Sequence, residues 1–238
     1  KSDYRSLLTP EPVDVVELGA GNGEKTRIIL EHFLEEDSQF TFRPLDISKG
    51  AIDTLQAEVG DALPSLDCRG MVADYFDGLQ WLNTYNSNKR LVLFLGSNIG
   101  NFEPKQRADF LNALRASLNP GDVVAIGFDF KKDPALINKA YNDQSGVTAA
   151  FNRNILHRIN DELGGEFEPE KFQFYAAYNP FQGCVQSTLM AMENHDVYID
   201  ALDQAFHFEA WEPIHTESSY KYTQSDIQAL AAHHDFRH

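Results

Sequence analysis

The sequence predicts an α/β protein, a doubly wound and mainly parallel sheet into which a cap of helices and antiparallel strands is inserted. Residues 13–130 alternate strand-length apolar runs with amphipathic helical segments, which is the pattern of a parallel sheet covered by helices. Residues 134–217 place strands close together with no helices between them, which favours antiparallel pairing. We therefore predict one domain from residues 11–133 and 218–238, and a cap from residues 134–217.

Five strands are predicted in the first domain. The first, VDVVEL, is a nearly continuous apolar run, as expected of a strand buried on both faces. The other four are FTFRPLDI, CRGMVAD, RLVLFLG and VVAIGFDF. Apolar residues at helical spacing predict helices in EKTRIILEHFLEE, KGAIDTLQAEV and KQRADFLNALRASL. Ser48 precedes the second helix as a capping residue, and Glu103–Pro104 begins the third.

The predicted cap starts with helices and continues with strands. The segment PALINKAYNDQSGVTAAFNRNILHRINDEL is predicted to be helical, with a break near Gly146. The strands FQFYAAY, VQSTLMAME and QAFHFEAWEPIHTES follow. A last helix, SDIQALAAHHDF, takes Ser225 as its predicted N-cap and belongs to the first domain.

Composition excludes several classes of partner. The formal net charge of −16 predicts no binding to nucleic acid or to anionic membranes. The longest apolar runs have the length of strands and are too short for a membrane span. Two cysteines without a CxxC motif, and no visible signal peptide, predict free thiols and a cytoplasmic location. The spacing of the histidines predicts no metal site.

The turn after the first strand, ELGAGNGEKT, is close to three nucleotide-binding motifs. A P-loop and a dinucleotide fingerprint each require glycine at the position of Glu24. A carboxylate at this position would repel a phosphate ligand, so the sequence fits neither a P-loop nor a dinucleotide-binding turn. The observed spacing joins Glu17 to Gly19, Gly21 and Gly23, and glycines allow a ligand to approach the backbone closely.

Acidic residues at three predicted strand ends favour S-adenosylmethionine (SAM), a nucleoside ligand without phosphates. Glu17 would tolerate its ammonium and sulfonium charges, and Asp46 would accept the two ribose hydroxyls. Asp74 would accept the adenine amino group, with the ring of Tyr75 stacked beside it. The alternative is purely structural, because glycine-rich turns and acidic strand ends are common in proteins without such a ligand.

Four longer motifs resemble one family. The segments ELGAGNGEKT, FLGSNIGNFEP, DPALINKAYNDQSGVTAAFNRNIL and HTESSYKY are similar to those of the histidine-specific Nα-methyltransferases of ergothioneine biosynthesis. The resemblance covers nearly all of the chain. It implies a Rossmann-like SAM-binding domain, an enzyme that trimethylates the α-amino group of L-histidine, and an amino acid as the small-molecule partner. The implied SAM-binding positions are Gly19, Gly21, Asp46, Asp74, Tyr75 and Gly96.

The same resemblance implies five substrate-binding residues. Asn101 and Tyr141 would hold the amino acid head group, with Thr148 beside them, and Glu217 and Ser219 would hydrogen-bond the imidazole. Each position also has a structural alternative. Asn101 could cap the following helix, Tyr141 could pack its ring on the sheet, Glu217 could be a solvated strand residue, and Ser219 could belong to a turn.

Two departures from the family's pattern keep other functions open. Only sixteen residues precede Glu17, where the family has a longer segment with a tyrosine that helps to close the substrate pocket. Ser218 and Tyr220 replace the hydrophobic and the small residue expected there. We therefore expect a trimmed chain or a fragment. The alternatives are a methyltransferase for another small amine and a non-catalytic SAM-binding module.

Overall fold

A computed structural model describes residues 12–36, 38–85 and 88–237. The described residues form two compact units. The parallel-sheet unit comprises the described residues of Lys1–Ile99, Glu103–Phe128 and Ser225–His238. The cap unit comprises Gly100–Phe102 and Asp129–Gln224. The domain boundaries given by the sequence stay a prediction, and their outermost residues, 11 and 238, lie outside the described residues.

The predicted parallel sheet is confirmed. Its strands run in the order β3-β2-β1-β5-β6, every pairing is parallel, and β4 also pairs with β2. They are β1 Val13–Leu18, β2 Phe40–Asp46, β3 Asp67–Cys68, β4 Met71–Val72, β5 Lys89–Phe94 and β6 Val123–Ile126. The strand order reverses direction between β1 and β5, and ligands of such sheets bind at the carboxyl ends beside this reversal.

Helices cover the sheet at most of the predicted positions. They are α1 Glu24–Glu35, α2 Lys49–Ala62, α3 Tyr75–Thr84 and α4 Pro104–Ser117. Ser48 caps α2 as predicted, since its hydroxyl accepts the Ala51 N–H at 3.2 Å. All six residues of β1 are buried, and Leu30, Phe33 and Leu55 from α1 and α2 belong to the same apolar cluster. Each fully buried side chain of this size contributes about 1.5–3 kcal/mol.

The predicted third strand is wrong in its extent. It divides into β3 and β4, and β4 ends at Val72, two residues before Asp74. Asp74 is instead the N-cap of α3, a helix that the sequence analysis did not predict. Its Oδ1 accepts the N–H groups of Phe76 at 2.8 Å and Asp77 at 2.9 Å, which satisfies two of the unpaired donors at the start of a helix.

The cap unit contains two helices and two antiparallel sheets. The helices are α5 Pro134–Tyr141 and α6 Val147–Leu163, and Gly146 separates them in a left-handed conformation (φ 73°), as the predicted break requires. The strands are β7 Phe172–Asn179, β8 Cys184–Ala191, β9 His195–Ile199, β10 Gln204–Phe208 and β11 Pro213–Tyr220. One sheet has the order β11-β8-β7, and β10 pairs with β9. Antiparallel pairing is thus confirmed, whereas β9 was not predicted and the last predicted strand is two strands.

Strand β11 contains an irregularity that sets the direction of its side chains. His215 pairs with Thr188 and Glu217 with Ser187, so Thr216 is an extra residue in the ladder. A β-bulge of this kind changes the face on which the following side chains lie. Glu217 consequently lies on the face of Ser187, opposite to that of His215.

The chain ends in α7, Gln224–His233, which belongs to the parallel-sheet unit. This helix begins one residue before Ser225, so the predicted N-cap is wrong: Ser225 lies inside the first turn. Among the described residues, no helix combines the length and the apolar composition that a membrane span requires.

Candidate functional site

The turn between β1 and α1 has the backbone that its glycines predict. Gly19 and Gly21 have φ angles of 71° and 54°, values that glycine adopts without steric cost. A Cβ atom at Gly19 would lie 2.7 Å from the Tyr75 hydroxyl, whereas one at Gly21 would meet nothing within 4 Å. The turn is therefore tightly packed on one side and open beside Gly21.

Glu17, at the end of β1, presents an unsatisfied acceptor. Its side chain is 4% exposed, and its Oε1 accepts a hydrogen bond from the Thr26 hydroxyl. Its Oε2 is buried with no hydrogen-bond partner, which is rare among buried polar atoms. Burial raises the pKa of Glu17 to about 7, against the opposing effects of Thr26 and Lys25. This orphaned oxygen fits a ligand that carries an ammonium group.

Asp46 is held beside the same turn. Its Oδ2 accepts the Gly21 N–H at 3.0 Å, and its Oδ1 accepts the Ser48 N–H at 2.9 Å. A carboxylate oxygen accepts more than one hydrogen bond, so both oxygens keep capacity for a ligand. The backbone thus fixes this carboxylate in one orientation at the end of β2.

Asp74 and Tyr75 lie at the start of α3 and are placed differently from each other. Asp74 is exposed and caps the helix, whereas the Tyr75 ring packs edge-to-face with Phe94 and Phe110 at centroid distances of 5.3 and 5.8 Å. Burial, with the charge of Asp46, raises the pKa of the Tyr75 hydroxyl. Tyr75 therefore reaches the glycine turn, and Asp74 keeps its Oδ2 for a further partner.

The loop after β5 adds Gly96 and a side chain that the sequence analysis did not select. Gly96 is exposed and has a φ of 77°. A Cβ there would lie 3.5 Å from Asn98 Oδ1, and a Cβ at Gly19 would lie equally close to Asn98 Nδ2. Asn98 thus lies between the two glycine turns, at the strand ends where a nucleoside ligand is expected.

The cap unit brings together two of the predicted substrate residues and a lysine. The Tyr141 hydroxyl, at the end of α5, donates to Ser219 Oγ of β11 at 2.8 Å. Lys221 Nζ donates to Tyr141 Oη at 2.7 Å and to Ser219 Oγ at 2.8 Å. It also pairs with Asp129 Oδ2 at 3.1 Å. Tyr141 therefore does more than pack on the sheet, although Ile137, one turn earlier, does pack there.

Glu217 lies two residues before Ser219 on the same face of β11. Its carboxyl is half-buried, and burial raises its pKa, against opposing effects of the nearby Lys221 and His215. Glu217 is thus not a fully solvated strand residue. An acceptor and a hydroxyl stand side by side on one face of the strand.

Thr148 and Asn101 occupy the remaining predicted positions. The Thr148 N–H donates to Asp143 Oδ1 at 2.9 Å in the first turn of α6, and its side chain is half-buried. Asn101 is exposed at the end of a 3-10 helix, next to Gly100, where a Cβ would lie 2.8 Å from the Tyr220 carbonyl oxygen. The capping role considered for Asn101 goes to Glu103, whose N–H donates to Gln106 Oε1 at 3.1 Å.

An apolar groove of about 670 Å³ opens on the cap unit, and Glu217 is among the residues that line it. Its walls come from α6, β10 and β11, and include Phe151, Ile155, Phe206 and Ile214. Phe151 is 73% exposed. The groove can accommodate an aromatic or aliphatic group beside a carboxyl.

Lys221, Asp129 and Asn98 were missed by the sequence analysis. Lys221 follows Glu217 and Ser219 at every second position, which is the spacing of one strand face. That period was visible in HTESSYKY. Asp129 carried no local signal, because its partner lies 92 residues later in the chain.

Comparison with known proteins gives consistent matches. A profile of SAM-dependent, histidine-specific methyltransferases matches residues 4–238. The histidine N-alpha-methyltransferase of Mycolicibacterium smegmatis is 36% identical over 218 residues, covering 92% of this chain and 67% of that protein. Ergothioneine biosynthesis protein 1 of Neurospora crassa is 35% identical over 157 residues, covering 65% of this chain and 18% of that protein. The 4-dimethylallyltryptophan N-methyltransferase of Claviceps purpurea is 25% identical over 253 residues, covering 96% and 72%.

Proposed function

Since the chain belongs to the SAM-dependent, histidine-specific methyltransferase family, we propose that it methylates the α-amino nitrogen of L-histidine on the route to hercynine and ergothioneine. The observation that carries this proposal is the position of Glu217 and Ser219, two residues apart on the same face of β11. A neutral imidazole has one donor and one acceptor nitrogen, and this pair complements both.

The residues at the carboxyl ends of β1 and β2 fit the cofactor. Glu17 Oε2, unpartnered and buried, would accept the ammonium of SAM, and Asp46 would accept the ribose hydroxyls. The open space beside Gly21 lets the backbone approach the ligand. When bound, SAM supplies a methyl group already activated by its sulfonium. The protein's own contribution is then mainly positioning and desolvation.

The head-group residues suit an amine that must lose its proton. An ammonium has no lone pair, so the α-amine has to be neutral before it can accept a methyl group. Asn101 and Tyr141 would hold the head group through uncharged groups, which stabilise the ammonium less than a carboxylate does. The carboxylate of Glu217 would instead serve the ring, because an acidic group beside the amine would raise the amine's pKa.

Mass spectrometry of L-histidine incubated with SAM and the full-length protein tests this proposal. We expect products heavier by one, two and three methyl groups, with conversion of SAM to S-adenosylhomocysteine. Omitting histidine is the control for other methyl acceptors. Unmodified histidine alongside methylation of another amino acid would contradict the proposed substrate.

A second candidate substrate is a bulkier aromatic amino acid. The apolar groove whose lining includes Glu217 favours such a substrate, and the Claviceps relative is named for a tryptophan derivative. Isothermal titration with S-adenosylhomocysteine present would separate the two candidates. Tighter binding of L-tryptophan than of L-histidine would favour this second substrate.

A further inference from the structure

Lys221 is a buried cation, and each of its three N–H donors has a partner. Its ammonium has three N–H donors and no acceptor. The three donors reach Asp129 Oδ2 at 3.1 Å, Tyr141 Oη at 2.7 Å and Ser219 Oγ at 2.8 Å. The residue is 4% exposed, and lysine is almost never this buried unless it is paired. The ammonium therefore has one fixed position between the two hydroxyls.

The position of this ammonium decides which way the two hydroxyl protons point. Both oxygens must accept from Lys221, because the ammonium can only donate. The Tyr141 proton goes to Ser219 Oγ at 2.8 Å. Ser219 Oγ thus accepts two hydrogen bonds, which uses both of its lone pairs. Its own proton remains, so Ser219 can meet a ligand only as a donor.

We propose that Lys221 is a positioning residue that makes the Ser219 hydroxyl an obligate donor to the substrate ring. This role rests on the proposed function and explains how the site would select the substrate ring. Ser219 then requires an acceptor nitrogen, and the other ring nitrogen must carry the proton that Glu217 accepts. Lys221 in this way selects one tautomer of the imidazole and disfavours rings without an acceptor, which leave a buried donor unpaired.

A simple structural role for Lys221 is the competing explanation. A buried ion pair with Asp129 needs neither hydroxyl, and its removal would lower stability and all ligand affinities together. The test therefore compares selectivity between two probes of similar ring size, L-histidine and β-(2-thienyl)-L-alanine. The thiophene ring has no nitrogen acceptor. Affinities are measured by isothermal titration with S-adenosylhomocysteine present.

We expect Lys221→Met and Ser219→Ala each to weaken L-histidine binding about 10- to 100-fold. Thienylalanine binding should change less than about threefold, so the preference for histidine narrows. The double variant should lose no more affinity for L-histidine than the more strongly affected single variant, because Lys221 acts through Ser219. Lys132→Met is the matched control, since Lys132 pairs with Asp129 Oδ1 and contacts neither hydroxyl in the structure. Lys132→Met should retain the preference for L-histidine over thienylalanine.

Equal losses for both probes, or losses that multiply in the double variant, would overturn the proposal. If Lys221→Met fails to fold, as judged by its thermal melt, Asp129→Asn replaces it, because it removes the anchor of the ammonium and leaves the hydroxyls in place. Unchanged selectivity in Asp129→Asn would also count against the proposal.

The same titrations separate this inference from the proposed function. If the unmodified protein gives no heat with L-histidine, the proposed function fails. The variants are then compared with the amino acid that does bind in a panel of the twenty L-amino acids. If none of the twenty binds, both proposals are overturned.

Discussion

Glu17 changes its protonation state near neutral pH, because burial raises its pKa from 4.5 to about 7. The unfolded chain loses this proton near the lower value and the folded protein near the higher one. Stability is therefore unaffected below pH 4.5, falls as the pH rises from 4.5 to about 7, and stays lower above that. At about 1.4 kcal/mol for each unit of pKa, the whole effect is about 3 kcal/mol.

This titration predicts the pH dependence of cofactor binding. If the ionised Glu17 pairs with the ligand's ammonium, S-adenosylhomocysteine should bind up to about tenfold tighter at pH 8 than at pH 6. The Glu17→Gln variant should bind more weakly and with little dependence on pH. Isothermal titration at the two pH values measures both effects. The same pH dependence in Glu17→Gln would mean that another group is responsible.

Glu217 allows a second prediction at the scale of one residue. Glu217→Ala should weaken L-histidine binding about 10- to 100-fold, because it removes a half-buried charged acceptor. Binding of S-adenosylhomocysteine should change less than about twofold. Glu170→Ala, at an exposed glutamate of the cap unit, is the control. Comparable losses for both ligands, measured by titration, would show that Glu217 is structural.

At the scale of elements, the strands and helices that were predicted correctly are those with an unbroken apolar pattern in the sequence. The run VDVVEL forms β1, and every one of its residues is buried. Helix α3 was missed because the Asp74–Tyr75 pair was interpreted as a strand end, whereas Asp74 is an N-cap. The cluster of Tyr141, Ser219 and Lys221 could not be derived locally, because α5 and β11 are about eighty residues apart. Pairing at that distance is decided by tertiary packing.

The turn between β1 and α1 carries its own prediction. Gly19→Ala should destabilise the protein by more than Gly21→Ala, since it combines a left-handed backbone with a contact of 2.7 Å to the Tyr75 hydroxyl. Gly21→Ala should cost only about 1–2 kcal/mol of backbone strain. Both variants should weaken S-adenosylhomocysteine binding more than tenfold. The methyl group at Gly21 enters the open space, and the methyl group at Gly19 displaces the Tyr75 hydroxyl from the turn. Thermal denaturation and titration measure the two effects, and equal stability of the two variants would contradict this view of the turn.

At the scale of the whole molecule, the sequence predicted the class of fold and the family. The alternation of strands and helices was enough for the parallel sheet, because most of the apolar runs are clearly bounded, although CRGMVAD is not. The antiparallel sheets of the cap were predicted less completely. Strands β9 and β10 are short and partly exposed, so their hydrophobic pattern is weak.

The net charge of −16 gives a prediction for the entire chain. We expect no retardation of duplex DNA in gel electrophoresis even at low salt, where attraction to phosphates would be strongest. A basic protein of similar size is the positive control. A salt-sensitive shift of the DNA would contradict the prediction and indicate a local basic surface.

The β-bulge at Thr216 determines on which face of β11 the side chains of Glu217 and Ser219 lie. In a regular ladder that kept Thr216, this residue would pair with Ser187 and Glu217 with Gln186, and Glu217 and Ser219 would lie on the opposite face. Deleting Thr216 would make His215 and Glu217 consecutive in a regular ladder and would leave Glu217 and Ser219 on their present face, that of Tyr141. The bulge thus accommodates one more residue in the strand without turning the motif away from Tyr141.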